Sequence, residues 1–248
     1  MVKGLDTFRK YFADYEEQYV LIGGVACDIL FESNEMSFRA TRDLDMVLII
    51  EALTPEFGEK FWKFIVDGKY RNKATNGSNP QFYRFDKPED DNFPKMIELF
   101  CRSDFKLKNT KGITPIHIDD EVSSLSAILL NDDYYKALLN GKEVRNELSV
   151  LRPEYIILFK AKAYLDLQKR KDSGGKVDFS DIKKHKKDVL RIASELMLEK
   201  VEELPIAVNA DIHSFIDLLE QEPFDQNSLK RYGLKNEDVV ELLKQVFG

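Results

Sequence analysis

At 248 residues, 43% of them apolar and 33% charged, the chain can bury a substantial core and reads as one two-lobed protein or two modest domains. Its formal charge of −7 argues against broad coating of nucleic acid and leaves room for one local basic surface. No apolar run spans a bilayer and the opening MVKGLDTFRKYF has no signal-like apolar region, so a cytoplasmic protein is expected; Cys27 and Cys101, without CxxC spacing, and three histidines argue against a disulfide framework or a zinc site.

Leu5, Phe8, Tyr11, Phe12 and Tyr15 recur at helical spacing and predict a leading helix over Leu5 to Glu17. Val20, Leu21 and Ile22 form a short apolar run ending at Gly23 and Gly24, after which Val25, Ala26, Ile29 and Leu30 return to helical spacing. The glycine pair therefore sits where a strand turns into a helix. Missing side chains there allow close approach, and the first helix amides carry the positive end of the dipole, which makes a seat for phosphate. Next comes Asp43-Leu44-Asp45, followed by Met46 to Ile50, a run apolar on both faces that suits a central strand. Positions i and i+2 of a strand share a face, so Asp43 and Asp45 project side by side. Two such carboxylates repel each other and lose hydration unless a cation joins them, and the fitting partner is a hard divalent ion, Mg²⁺ or Mn²⁺.

Thr54 and Pro55 open a helix that ends near Gly68. The polar stretch NKATNGSNP, Asn72 to Pro80, is a candidate loop, and Gln81 to Phe85 a strand. Lys95 to Cys101 reads as a buried strand interrupted by Glu98. A carboxylate in that place is costly unless it binds metal, as the third ligand of a phosphoryl-transfer site, or pairs with a nearby arginine. Asp104 is the reserve candidate for the third carboxylate. A helix over Ser123 to Leu139, stopped by Asn140-Gly141, precedes a short strand within Glu143 to Arg152.

From there the chain reads as helix after helix. The fold expected is α/β, a small mixed sheet with flanking helices over residues 1–147, followed by an α-helical domain over 148–248. The helix from Pro153 to Arg170 is apolar almost all round, with Lys162 and Asp166 spaced to pair with each other. Lys160 has no such neighbour and lies in projection with Ile156, Ile157 and Tyr164, so it either aims at nucleotide phosphates in a cleft or snorkels to solvent. In the helix from Ser180, Ile182, Val189, Ile192 and Leu196 form the apolar stripe. His185 falls on it as a core histidine, and Lys184 and Asp188 form an i, i+4 pair beside it. Segments near Asp211 to Glu220 and Asn236 to Phe247 read as packing helices. Between Lys169 and Lys187 eight basic residues face three acidic ones, so this window reverses the sign of the chain. It is either a solvated helix face or a surface that grips the phosphates of an RNA end.

The glycine pair at Gly23-Gly24 and the carboxylate pair Asp43 and Asp45 resemble the core pattern of the DNA polymerase β-like nucleotidyltransferase superfamily. Within it, the form Arg39, Thr41, Asp43, Asp45 resembles the AbiEii-type nucleotidyltransferases of type IV toxin-antitoxin and abortive-infection systems. Val25 stands where many members carry Ser or Thr. Lys160 with Ala163, then Lys184 with Asp188, match two further motifs of that type, with His185 in place of an aspartate. The resemblance implies an enzyme that moves a nucleoside monophosphate from an NTP to an acceptor hydroxyl. Asp43, Asp45 and Glu98 would hold Mg²⁺, and Gly23, Gly24, Thr41, Arg42, Lys160, Lys184 and Asp188 would surround the nucleotide. The implied partners are the NTP, an RNA acceptor such as a tRNA 3′ end, and an antitoxin protein. Two alternatives stand beside it: a transferase acting on a small molecule or a protein, and a catalytically silent NTP-binding module.

Overall fold

A computed structural model of the chain describes residues 2–38, 41–72, 82–101, 128–129 and 131–248. Arg39, most of the NKATNGSNP stretch, Asp104 and the first part of the helix expected from Ser123 lie outside the described residues.

In chain order the elements are α1 (Leu5–Phe12), β1 (Tyr19–Ile22), α2 (Gly23–Glu32), β2 (Asp43–Leu48), α3 (Pro55–Asp67), β3 (Arg71–Asn72), β4 (Phe82–Asp86) and β5 (Met96–Phe100). They continue with α4 (Asp132–Gly141), β6 (Lys142–Arg145), β7 (Leu148–Leu151), α5 (Pro153–Asp172), α6 (Phe179–Glu195), α7 (Ile206–Gln221), α8 (Gln226–Tyr232) and α9 (Asn236–Phe247). The protein is thus of mixed α/β class, as its sequence predicts. No described helix is long and apolar enough to cross a membrane.

The described strands form one mixed sheet in the order β3-β4-β5-β2-β1-β7-β6. Its centre is β2, antiparallel to β1 and parallel to β5. Strand alternation divides the residues of this centre between two faces. Leu44, Met46, Ile97, Leu99 and Phe85 share one face, and aromatic side chains of α1 and α3 cover it. Phe8 meets Tyr19 and Phe64 edge to face at 5.5 and 5.8 Å, and Phe61 meets Phe85 at 5.6 Å. The opposite face carries Asp43, Asp45 and Glu98. The carboxylates thus lie on the side away from the aromatic layer, beside buried Ile22, Val47 and Phe100.

The leading helix ends at Phe12, earlier than its spacing predicts, and a short 3-10 turn over Glu16–Gln18 feeds β1. Gln18, buried there, accepts from the Thr54 amide at 3.0 Å and so ties the entry of β1 to the cap of α3. Where one short strand is expected after α4, the chain makes a hairpin, β6 and β7, and β7 pairs in parallel with β1. The hairpin changes the domain division. The chain separates into one compact unit holding the sheet, including Lys142–Arg152, and a second holding α4 together with Pro153–Gly248. A single cut between 147 and 148 does not describe this, because β7 lies past that cut and completes the sheet. Within the second unit α5 packs against α6 and α7, α4 against α7, and α7 against α9.

Candidate active site

The sheet register builds a row of charged side chains across three strands. Asp45 of β2 stands opposite Glu98 of β5, and Glu98 stands opposite Arg84 of β4. Asp43 occupies the same face two residues before Asp45. Arg84 donates from Nε to Glu98 Oε1 at 2.8 Å, and Nη2 donates to the same oxygen. Glu98 is only 6% exposed. Burial pushes its carboxyl above the ordinary carboxylate range and the charge of Asp43 pushes the same way, against Arg84 and the neighbouring Asp45 carboxyl, which pull it down. Glu98 thus has the arginine partner foreseen as one of its two readings, while standing in line with Asp45 as the other requires.

The glycine pair explains how Asp45 comes so close to the turn. Gly23 has φ +63°, in the left-handed region, and a Cβ built on it would lie 2.3 Å from Asp45 Oδ2. A Cβ on Gly24 would lie 2.8 Å from Thr41 Oγ1. The space left by the two missing side chains is thus filled from within the chain, by the Asp45 carboxylate and the Thr41 hydroxyl. Behind it, α2 begins with no side-chain cap on its first amides. The phosphate seat expected at this turn and the carboxylate pair are consequently one place. Arg42 is exposed just ahead of β2.

Two neighbouring carboxylates on one strand suit the chemistry of Mg²⁺, which prefers oxygen and keeps most of its coordination for water and substrate phosphates. Among the described residues no group of three His, Cys, Asp or Glu side chains is arranged to hold a metal ion. The residues fit a Mg²⁺ held by one or two protein carboxylates and completed by a polyphosphate, with Glu98 held by Arg84 beside them.

The other expected nucleotide ligands, Lys160, Lys184 and Asp188, belong to the helical unit. Lys160 does have an ion partner, contrary to the expectation from its own helix. Its Nζ donates to Asp188 Oδ2 at 2.7 Å, with the two residues 7% and 4% exposed. An ammonium in the apolar interface of α5 and α6 requires a buried counter-charge, and Asp188 supplies it across the helix pair. Asp188 therefore serves Lys160, a partner on another helix that its i, i+4 spacing to Lys184 does not reveal. Lys162 does pair with Asp166, at 2.9 Å, and also reaches Asp211 of α7 at 3.3 Å. His185 is buried on the apolar face of α6. In the basic window Lys183 and Lys187 are exposed, but Lys186 turns inward. It donates to the carbonyls of Glu222 and Pro223 and lies 5.7 and 5.6 Å from the ring centroids of Tyr164 and Phe224.

Two residues of note escape sequence reasoning. Arg84 sits in FYRFD, where only the pairing register reveals that it faces Glu98. Asp28 is buried in α2, and its signal was available as the one acid in the apolar run after the glycine pair. No family model, no curated protein and no solved structure matches this chain.

Proposed function

We propose that the chain is a metal-dependent nucleotidyltransferase of AbiEii type, built on a nucleotidyltransferase core, which moves a nucleoside monophosphate from an NTP to an acceptor hydroxyl and releases pyrophosphate. One observation carries this reading: Asp43 and Asp45 lie in line with Glu98 and against the Gly23 turn that opens α2. A triphosphate seated on the first amides of α2 meets the carboxylate pair at once, so binding and charge compensation share one location. Asp43 and Asp45 hold the divalent ion, and Gly23 keeps the approach to them clear of any side chain. Bound there, Mg²⁺ supplies positive charge to the phosphates and activates the attacking hydroxyl. Glu98 lies where a third carboxylate can accept the proton of that hydroxyl.

The acceptor we propose is an RNA end, held through its phosphates by exposed cations of the helical unit such as Lys183 and Lys187. An antitoxin protein remains the partner that the toxin resemblance implies.

The test incubates the purified chain with labelled NTPs, Mg²⁺ and small RNAs. The expected result is pyrophosphate release with label on the RNA. Asp45→Asn should lose this activity by about 10³-fold, or roughly 4 kcal/mol of barrier, with an unchanged circular dichroism spectrum. Equal turnover in the variant would remove the mechanism. NTP binding without pyrophosphate release would favour a silent module, and label on a protein or small molecule would replace the RNA acceptor.

A further inference from the structure

We infer that Arg84 is a positioning residue for the carboxylate row, a resident counter-ion that occupies Glu98 until a divalent ion takes its place. This rests on the reading of Asp43 and Asp45 as metal ligands. Both guanidinium nitrogens converge on one oxygen, Glu98 Oε1, so the fork is one-sided and does not use Oε2. A structural arginine-carboxylate pair ordinarily engages both oxygens in parallel. The other neighbour of Glu98 is Asp45, whose carboxyl meets it across the β2–β5 ladder. Glu98 is thus poised between a guanidinium on one side and a candidate metal ligand on the other.

The two partners also differ in their access to water. The Glu98 side chain is 8% exposed and that of Arg84 22%, so the guanidinium reaches inward from the wetter side. A carboxylate so buried cannot regain its hydration by moving, whereas an arginine near the surface can withdraw at small cost. Release therefore falls to Arg84. While it stays, its positive charge offsets part of the row's negative potential and weakens the attraction for an incoming cation. The arrangement lets the sheet fold with three carboxylates on one face before any metal arrives.

The experiment needs no turnover. Mn²⁺ is titrated against the full chain without nucleotide, and the rise of the thermal midpoint is followed, since an ion that binds only the folded state raises it. Arg84→Met is expected to lower the Mn²⁺ concentration at half-effect roughly tenfold. Arg84→Lys, which keeps the charge, should stay within about threefold of wild type. A second pair guards against a poorly folded Arg84→Met. Glu98→Gln leaves the guanidinium facing the row and should raise the half-effect concentration roughly tenfold, and adding Arg84→Met to it should reverse most of that rise. If Glu98→Gln and the double variant respond to Mn²⁺ alike, the inference is overturned while the metal reading stands. A wild-type chain that shows no Mn²⁺ response overturns both.

Discussion

The Lys160–Asp188 pair of the helical unit and the Arg84–Glu98 pair of the sheet use the same means, a cation and a carboxylate drawn out of water, and differ in setting. In the helical unit one ammonium meets one carboxylate at 2.7 Å, and both are almost fully buried. On the sheet one guanidinium meets Glu98, but Asp45 and Asp43 stand on the same face beside it. The Lys160–Asp188 pair ties α5 to α6 across their apolar interface. On the sheet the guanidinium shares its face with two further carboxylates, so a change of charge at Arg84 or Glu98 is felt by Asp45 and Asp43 as well. The comparison therefore sets an interhelical ion pair against the row on which the proposed metal site rests.

Substitutions on the two sides should behave differently. The largest effect is expected from Lys160→Met, which leaves Asp188 buried without its ammonium and should cost about 3–5 kcal/mol in chemical denaturation. Adding Asp188→Leu should recover most of the loss, and no divalent ion should do so. Rescue of Lys160→Met by Mg²⁺ would break the comparison by making the helical pair a metal site as well. Gly23→Ala should come next, at about 2–4 kcal/mol, because it forces a side chain into a left-handed backbone and against Asp45 Oδ2. Its Mn²⁺ response should fall along with its stability, since the displaced carboxylate is a proposed ligand. The smallest effect belongs to Asp45→Asn. It removes a like charge directly across from Glu98, and the unfolding free energy should stay level or rise by up to about 1 kcal/mol. A loss as large as that of Lys160→Met would make the carboxylate row structural.

What could be read from the sequence was what is local along the chain. Asp43 and Asp45 share a face because they are two residues apart on a strand, and Glu98 stood out as one acid in an apolar run. The glycine pair announced the strand-to-helix turn, although not that Asp45 and Thr41 would fill it. Arg84 was hidden because the register of β4 against β5 is a property of two strands together. Lys160 and Asp188 lie on different helices, and a helical projection gives the direction of a side chain but not the neighbour it finds. The sequence shows one strand where the β6–β7 hairpin stands, because its two-residue turn, Asn146-Glu147, has φ values of 49° and 60° without the glycine that usually marks such a turn.

That hairpin also sets an order of events during synthesis. β1 is made well before its parallel neighbour β7, and α4, an element of the other unit, is made between them. Until Val150 is available to Leu21, one side of β1 is an open edge able to pair with other chains. The sheet cannot finish folding as an N-terminal block while the helices wait their turn. A nascent chain that stalls before β7 would present this edge for as long as the stall lasts, which makes the interval between β1 and β7 a stage of biogenesis exposed to aggregation.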